Sequence, residues 1–152
     1  WHGDEPLDLP RFLSSHAAPG GLAATTSDAI GFLRALVEGR LFSEPGTYAR
    51  MLENRSRFGF PTDPAAVRAP GWPIECGLGI FRFQLPRPLN GFRRMPAVHG
   101  HTGSTGSWLF HSPELDLYLA GTVDQATAGA LPYRLVPRLL RLAEPLRPAT
   151  AG

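Results

Sequence analysis

The sequence contains no lysine. All 15 basic residues are arginine, and 13 acidic residues leave a formal net charge of only +2. The arginines are scattered and are not interleaved with aromatic residues, so the charge pattern argues against a nucleic-acid interface. The missing lysine excludes a phosphate-binding P-loop, which requires Gly-Lys-Ser/Thr. It also excludes any mechanism in which this chain supplies a lysine base.

Cysteine and long apolar runs are also scarce. Cys76 is the only cysteine, so the chain cannot form an internal disulfide, and the redox compartment stays open. No apolar run approaches the roughly 18 residues that span a bilayer. Pro6, Asp8 and Pro10 interrupt any signal-peptide core near the start. We therefore expect no membrane span and a globular chain, in keeping with its 43% apolar residues.

The first half of the chain carries helical signals. The stretch "TTSDAIGFLRALVEGRLF" offers Thr25 as a helix N-cap, with Asp28 three residues later, as in a capping box. Apolar residues then recur at helical spacing, and Gly39 is a suitable stop. A second helix is expected over 45–52, and the Pro- and Gly-rich residues up to 73 predict a long loop.

The second half carries strand signals followed by a helix. "CGLGIFRFQL", "MPAVHGHTG", "SWLFHS" and "LDLYLAGTVD" predict three or four consecutive antiparallel strands over residues 75–124, with "SPEL" as a hairpin turn. The tail "LPYRLVPRLLRLAE" predicts a closing helix with an apolar stripe. The expected stripe residues are Leu135, Leu139 and Leu142.

These elements predict an α+β fold within one domain. Residues 1–73 form its helical and loop part, and residues 74–152 form the antiparallel strands and the closing helix. An antiparallel meander leaves an edge and a bare face, which a single terminal helix covers only in part. The first 70 residues themselves have little to pack on. We therefore expect the chain to be the second half of a larger fold.

The stretch "VHGHTGSTGSW" over residues 98–108 has the density of functional side chains expected of a site. His99 and His101 are two residues apart, which places them on one face of a strand, and His111 can approach from the next strand. Three imidazoles suit zinc, although no nearby carboxylate is placed to support them. A glycine-rich hairpin turn with exposed histidines fits the same residues. From the residues alone both interpretations stay open.

The order of several motifs resembles one enzyme family. "GGLAATTSDAIGFLRALVEGRLF", then "CGLGIFRF", then "GHTGSTGSWLFHSPELDLYLAGTVDQ" are similar to the C-terminal half of the serine β-lactamase-like hydrolases. These include class C β-lactamases, DD-peptidases and related esterases. His101-Thr102-Gly103 matches the family's Lys/His-Thr/Ser-Gly strand, and Gly20 to Asp28 match its "GGL-x-x-T-x-x-D" helix start. The resemblance covers nearly the whole chain and implies the C-terminal portion of the β-lactamase/transpeptidase-like fold, with no cofactor and no metal.

The resemblance also implies a reaction. In this family the serine of a Ser-x-x-Lys motif attacks an acyl carbon, assisted by the lysine and a Tyr-x-Asn tyrosine. Neither motif is present here, so the implied partners are a missing N-terminal half that carries them and a small-molecule or peptide acyl substrate. The chain alone is then not expected to be active. Many family members act outside the cytoplasm, which implies an extracytoplasmic location.

Four residues receive roles from the family pattern. The backbone N–H of Ser104 is one of two oxyanion-hole donors, each worth on the order of 3 kcal/mol of barrier. Gly103 lets the acyl group lie against the strand, and Thr102 hydrogen-bonds a substrate carboxylate or carbonyl. His101 stands where many relatives have lysine. An imidazole has an ordinary pKa of about 6.5 and is mostly neutral at pH 7, so it holds a carboxylate less well.

Three hypotheses follow. The first is a serine hydrolase with peptidase- or esterase-like activity rather than efficient β-lactam hydrolysis. The second is a catalytically inactive, penicillin-binding-like module that recognises peptides or cell-wall fragments. The third is a small metal-binding protein that uses the histidines.

Overall fold

The structure is a computed structural model that describes residues 2–6, 8, 10–11, 22–57, 74–129 and 131–146. Residues 58–73 of the predicted loop, Gly20 of the helix start and the residues after 146 lie outside the described residues. The helices are α1 (Thr26–Val37), α2 (Thr47–Met51) and α3 (Pro132–Ala143), with short 3-10 segments at Arg87–Asn90 and Glu144–Leu146. The strands are β1 (Ser56–Arg57), β2 (Ile74–Cys76), β3 (Phe81–Phe83), β4 (Val98–Thr102), β5 (Trp108–Ser112) and β6 (Leu117–Gly121).

The six strands form one antiparallel sheet in chain order, from β1 to β6. The predicted α+β class, with an antiparallel sheet and a C-terminal helix, is confirmed. Within the described ranges, no helix combines the length and the apolar character that crossing a membrane requires.

Helix α1 forms where its capping residues predict it. The Thr25 hydroxyl oxygen accepts the Asp28 N–H at 3.2 Å and donates its own proton to the Asp28 carboxylate at 2.6 Å. The helix ends at Val37, and Gly39 takes the left-handed conformation that stops it, at φ 74°. Leu33 is buried, and α1 packs on β5 and β6. Helix α1 thus packs on the sheet, contrary to the expectation that the first 70 residues have little to pack on.

The main core lies between the sheet and α3. Tyr133 is 1% exposed, and its ring meets the rings of Phe83 and Phe110 edge-on at centroid distances of 5.0 and 6.3 Å. The core residues come from β2, β3, β4, β5, α3 and the connection before β4. They are Ile74, Phe81, Phe83, Met95, Val98, Phe110, Tyr133, Val136 and Leu140.

The predicted apolar stripe of α3 is wrong. The buried residues of this helix are Pro132, Tyr133, Val136, Pro137 and Leu140, whereas Leu142 is 71% exposed. Both sets recur at helical spacing, so periodicity alone does not choose between them. The structure buries the face that carries the large Tyr133 ring.

The single strand predicted over "CGLGIFRFQL" is two strands joined by a tight turn. Gly77 donates its N–H to the Ile80 carbonyl at 2.8 Å, and Gly79 adopts φ 69°. Leu78, at the tip of the turn, is 67% exposed, and Cys76 ends β2 half-buried.

Two further strand boundaries differ from the prediction. Strand β1 lies inside the predicted loop, and the turn over 113–116 delays β6 to Leu117.

Strands β4 and β5 approach closely at Gly100. A Cβ built on Gly100 would lie inside contact distance of the Leu109 carbonyl oxygen and of the Phe110 Cα, both of which are backbone atoms. Backbone cannot move aside as a flexible side chain can. The close approach therefore requires glycine at this position.

We predict that Gly100→Ala lowers the free energy of unfolding by at least about 2 kcal/mol, because the added methyl group forces the β4–β5 pair apart. The matched control is Gly31→Ala. Gly31 lies in α1 with nothing within 4 Å of its missing Cβ. This control should be neutral or stabilising by about 0.5–1 kcal/mol. Urea unfolding gives the free energy of unfolding of both variants. Equal changes in the two would contradict the close approach of β4 and β5 at Gly100.

Candidate functional site

The candidate site is the end of β4 together with the first two loop residues, His101 to Ser104, here called the β4 end segment. Strand β3 pairs with β4 only as far as Phe81 opposite Gly100. On its other side β4 continues to pair with β5, as far as Thr102 opposite Trp108. Among the described strands, none covers the β3-side edge of the β4 end segment. An unpaired strand edge can form backbone hydrogen bonds with an extended ligand.

The loop that follows β4 is held by backbone hydrogen bonds at both ends. Gly103 donates its N–H to the Ser107 carbonyl at 2.8 Å, which closes the hairpin. Gln125, in the segment after β6, donates its N–H to the Thr105 carbonyl at 2.9 Å. Ser104 lies between these two anchors and is exposed. No hydrogen bond joins its N–H to any residue in the described ranges, so this donor is both fixed in position and open to a ligand.

A Cβ built on Gly103 would lie inside contact distance of the Ser107 hydroxyl oxygen. That oxygen is the end of a side chain that can rotate away, so this contact alone does not require glycine. The role of Gly103 in admitting an acyl group stays a prediction.

His101 is exposed but has a defined orientation. Its ring stacks on Phe81, with a centroid distance of 4.2 Å and an interplanar angle of 20°. Its Nδ1 atom lies 2.7 Å from the Thr102 carbonyl oxygen. A carbonyl oxygen only accepts, so Nδ1 is the donor.

Thr102 directs its hydroxyl group toward α3. The Thr102 Oγ1 lies 3.1 Å from the hydroxyl oxygen of Tyr133 on α3. Burial raises the pKa of Tyr133, while the hydrogen bond to Thr102 acts in the other direction. The Thr102 hydroxyl is therefore positioned by α3, while the imidazole of His101 is positioned by Phe81, a residue of the same core.

The three histidines do not assemble into one cluster. His99 lies opposite His111 in the β4–β5 register, while His101 stacks on Phe81. In the described part of the chain, no group of three or more His, Cys, Asp or Glu side chains is arranged to hold a metal ion. The structure thus gives no support to the three-imidazole zinc site.

His99 and His111 instead belong to a row of polar side chains that crosses the sheet. The row runs in register over five strands through Glu75, Arg82, His99, His111 and Tyr118. Arg82 donates to the Glu75 carboxylate at 3.1 Å. The His111 ring stacks on the Tyr118 ring at 4.4 Å. We call these five residues the polar row.

The polar row lies on the face that α1 covers. The guanidinium of Arg34, on α1, sits 5.1 Å from the centroid of the Tyr118 ring. Both ring nitrogens of His99 and the Nδ1 of His111 are buried without a hydrogen-bond partner among the described residues. Burial is the main cause that lowers the pKa of His99 to about 4, and nearby Arg82, Arg55 and His111 add to it.

This burial predicts a loss of stability in mild acid. The unfolded chain protonates His99 near the ordinary histidine pKa of about 6.5, whereas the folded chain resists protonation down to about 4. Between these values the unfolded state binds more protons, so the free energy of unfolding falls as pH falls. His111 adds to the same trend, because burial also lowers its pKa.

The measurement is the urea midpoint at about pH 7.5 and about pH 5, compared between the wild-type chain and His99→Leu. We expect a smaller acid-induced decrease in the variant. If both proteins lose the same stability between the two pH values, His99 is not the group responsible.

Several residues that shape the candidate site were not predicted from the sequence. Tyr133 holds the Thr102 hydroxyl, Phe81 orients His101, and Gln125 anchors the hairpin loop. All three lie far from the β4 end segment in the chain, and only strand register and helix packing bring them to it. The capping box of α1, in contrast, could be predicted because its two residues are only three positions apart in sequence.

Comparison of the chain with protein-family profiles, with curated proteins and with solved structures finds no match. No family assignment follows from these comparisons. The case for a function depends on the residues and geometry of the β4 end segment.

Proposed function

We propose that the chain is the C-terminal half of a serine hydrolase that resembles the β-lactamase-like enzymes and acts on amide or ester substrates through an acyl-enzyme. The nucleophilic serine comes from sequence outside these 152 residues, since Ser-x-x-Lys needs a lysine and the chain has none. Within this proposal the α+β fold is the C-terminal portion of the β-lactamase/transpeptidase-like fold. The sheet and α3 then serve as the scaffold for one wall of the cleft.

The observation that carries the proposal is the backbone N–H of the exposed Ser104, two residues after the end of β4, which pairs with no residue in the described ranges. Acyl transfer develops negative charge on the carbonyl oxygen, and a fixed backbone donor can stabilise that charge. Ser104 is exposed, and the loop that holds it is tied to Ser107 and to Gln125. The donor therefore needs no rearrangement when the charge forms. The second donor of the oxyanion hole would be the N–H of the nucleophile itself.

The open edge of β4 supports the proposal in a second way. An acyl substrate placed beside His101 to Ser104 meets backbone that no described strand occupies. Extended substrates can then align with β4 through backbone hydrogen bonds. Gly103 keeps the approach to the Ser104 N–H free of a side chain.

The side chains of the site favour particular substrates. The Thr102 hydroxyl is held by Tyr133 at 3.1 Å and retains hydrogen-bonding capacity for a ligand. His101 replaces the permanent positive charge of a lysine with an imidazole. The proposal therefore assigns peptidase- or esterase-like activity in preference to efficient β-lactam hydrolysis.

The test uses two variants that separate the backbone of Ser104 from its side chain. Ser104→Pro removes the N–H, whereas Ser104→Ala keeps it and removes only the hydroxyl. Both are made in the polypeptide that joins these residues to the in-frame segment bearing Ser-x-x-Lys. We expect the proline variant to lose about a hundredfold to a thousandfold in kcat, and the alanine variant to lose only a few-fold.

The urea midpoints of the two variants control for folding. Equal losses in both, or no loss in either, would contradict the oxyanion role of the Ser104 N–H. If no in-frame Ser-x-x-Lys segment exists, the hydrolase proposal fails. A non-catalytic module that binds peptides or cell-wall fragments then becomes the better interpretation.

A further inference from the structure

The contact between His101 and the Thr102 carbonyl fixes where the imidazole carries its hydrogen. Nδ1 lies 2.7 Å from an oxygen that can only accept, so the hydrogen of the neutral ring is on Nδ1. The lone pair of the neutral ring is then on Nε2, at the opposite end of the ring.

The position of Nε2 is also fixed. The stack on Phe81, at 4.2 Å and 20°, sets the plane of the ring, and the bond to the Thr102 carbonyl sets its rotation within that plane. Within the ranges that the structure describes, no hydrogen bond reaches Nε2, and His101 is exposed. The β4 end segment therefore presents a hydrogen-bond acceptor, oriented by the fold, beside its open backbone edge.

We infer that His101 determines substrate specificity by accepting a hydrogen bond at Nε2 from a neutral N–H or O–H group of the acyl substrate. The inference rests on the proposed function, since it assigns the substrate class of the same site. The preferred substrates carry an amide or hydroxyl donor next to the scissile acyl group. Substrates with a carboxylate at that place are disfavoured.

The preference follows from whether each side chain donates or accepts the hydrogen bond. A lysine ammonium offers three donors and no acceptor, so it suits a carboxylate. The Nε2 lone pair of a neutral imidazole repels a carboxylate oxygen and attracts an N–H or O–H hydrogen.

The first test measures the tautomer in the 152-residue chain and requires no activity. Nitrogen-15 NMR of the histidine rings at about pH 8, where an ordinary imidazole is neutral, distinguishes a protonated ring nitrogen from an unprotonated one. His101→Gln identifies the His101 signals by their loss. We expect Nδ1 in the protonated range and Nε2 in the unprotonated range. Phe81→Leu is the matched variant, and removing the stack should move His101 toward a mixture of tautomers.

The second test compares two peptide substrates that differ only in a terminal carboxamide or carboxylate. In the active polypeptide at about pH 8, we expect kcat/KM to favour the carboxamide by about tenfold, as one net hydrogen bond allows. His101→Lys should reverse the preference.

The outcomes separate this inference from the proposed function. A protonated Nε2 in the first test, or hydrolysis without a carboxamide preference in the second, overturns the inference and leaves the hydrolase proposal standing. Absence of hydrolysis of both peptides and of simple esters overturns the proposed function, and the substrate preference falls with it.

Discussion

The in-register pairing of β4 with β5 is the interaction on which the rest of the structure depends. It sets Gly100 against Phe110, where the two backbones approach closely, and it sets His99 against His111. The same register carries β4 two residues beyond β3, which leaves the edge of the β4 end segment open. A slip by one residue would exchange the two faces of β4. The Thr102 hydroxyl would then lose Tyr133, and the imidazoles of the polar row would enter the apolar core.

The two faces of the sheet have different chemistry because of this register. The α3 side is an apolar core, with the Thr102–Tyr133 hydrogen bond near the end of β4. The α1 side carries the polar row, including histidine nitrogens that are buried without partners in the described chain. An unpaired buried polar group costs about 1–3 kcal/mol, so these histidines lower the stability of the fold. The candidate site lies at the open end of β4.

Sequence reasoning succeeded where the determining residues are close in the chain. The Thr25–Asp28 cap located α1, the alternation in "LDLYLAGTVD" located β6, and helical spacing of apolar residues located the closing helix. It failed where a choice depended on distant contacts. Two stripes of α3 fit helical spacing, and only the packing of Tyr133 on Phe83 and Phe110 selects the buried one. A strand was predicted across 77–80 because Leu78, Ile80 and Phe83 lie among β-prone neighbours. Gly77 and Gly79 nevertheless allow the chain to reverse there.

The candidate site, too, could be predicted from the sequence only in part. The segment His101 to Ser104 was identified from sequence because its residues are contiguous. The orientation of its side chains could not be predicted, because Phe81, Gln125 and Tyr133 contact the segment only through strand register and helix packing. The direction of the Thr102 hydroxyl, toward α3, follows from the alternation of β4 once its register is known. The imidazole tautomer depends on a single distance that no sequence pattern encodes.

The central claim is that the β4 end segment forms one wall of an acyl-transfer cleft. Its most direct test is intact mass spectrometry of the in-frame polypeptide that carries both Ser-x-x-Lys and these residues, after brief exposure to an activated ester. The account predicts a mass increase of one acyl group, located on the serine of Ser-x-x-Lys and lost when that serine becomes alanine. An unchanged mass, or acylation that persists in the alanine variant, would contradict it.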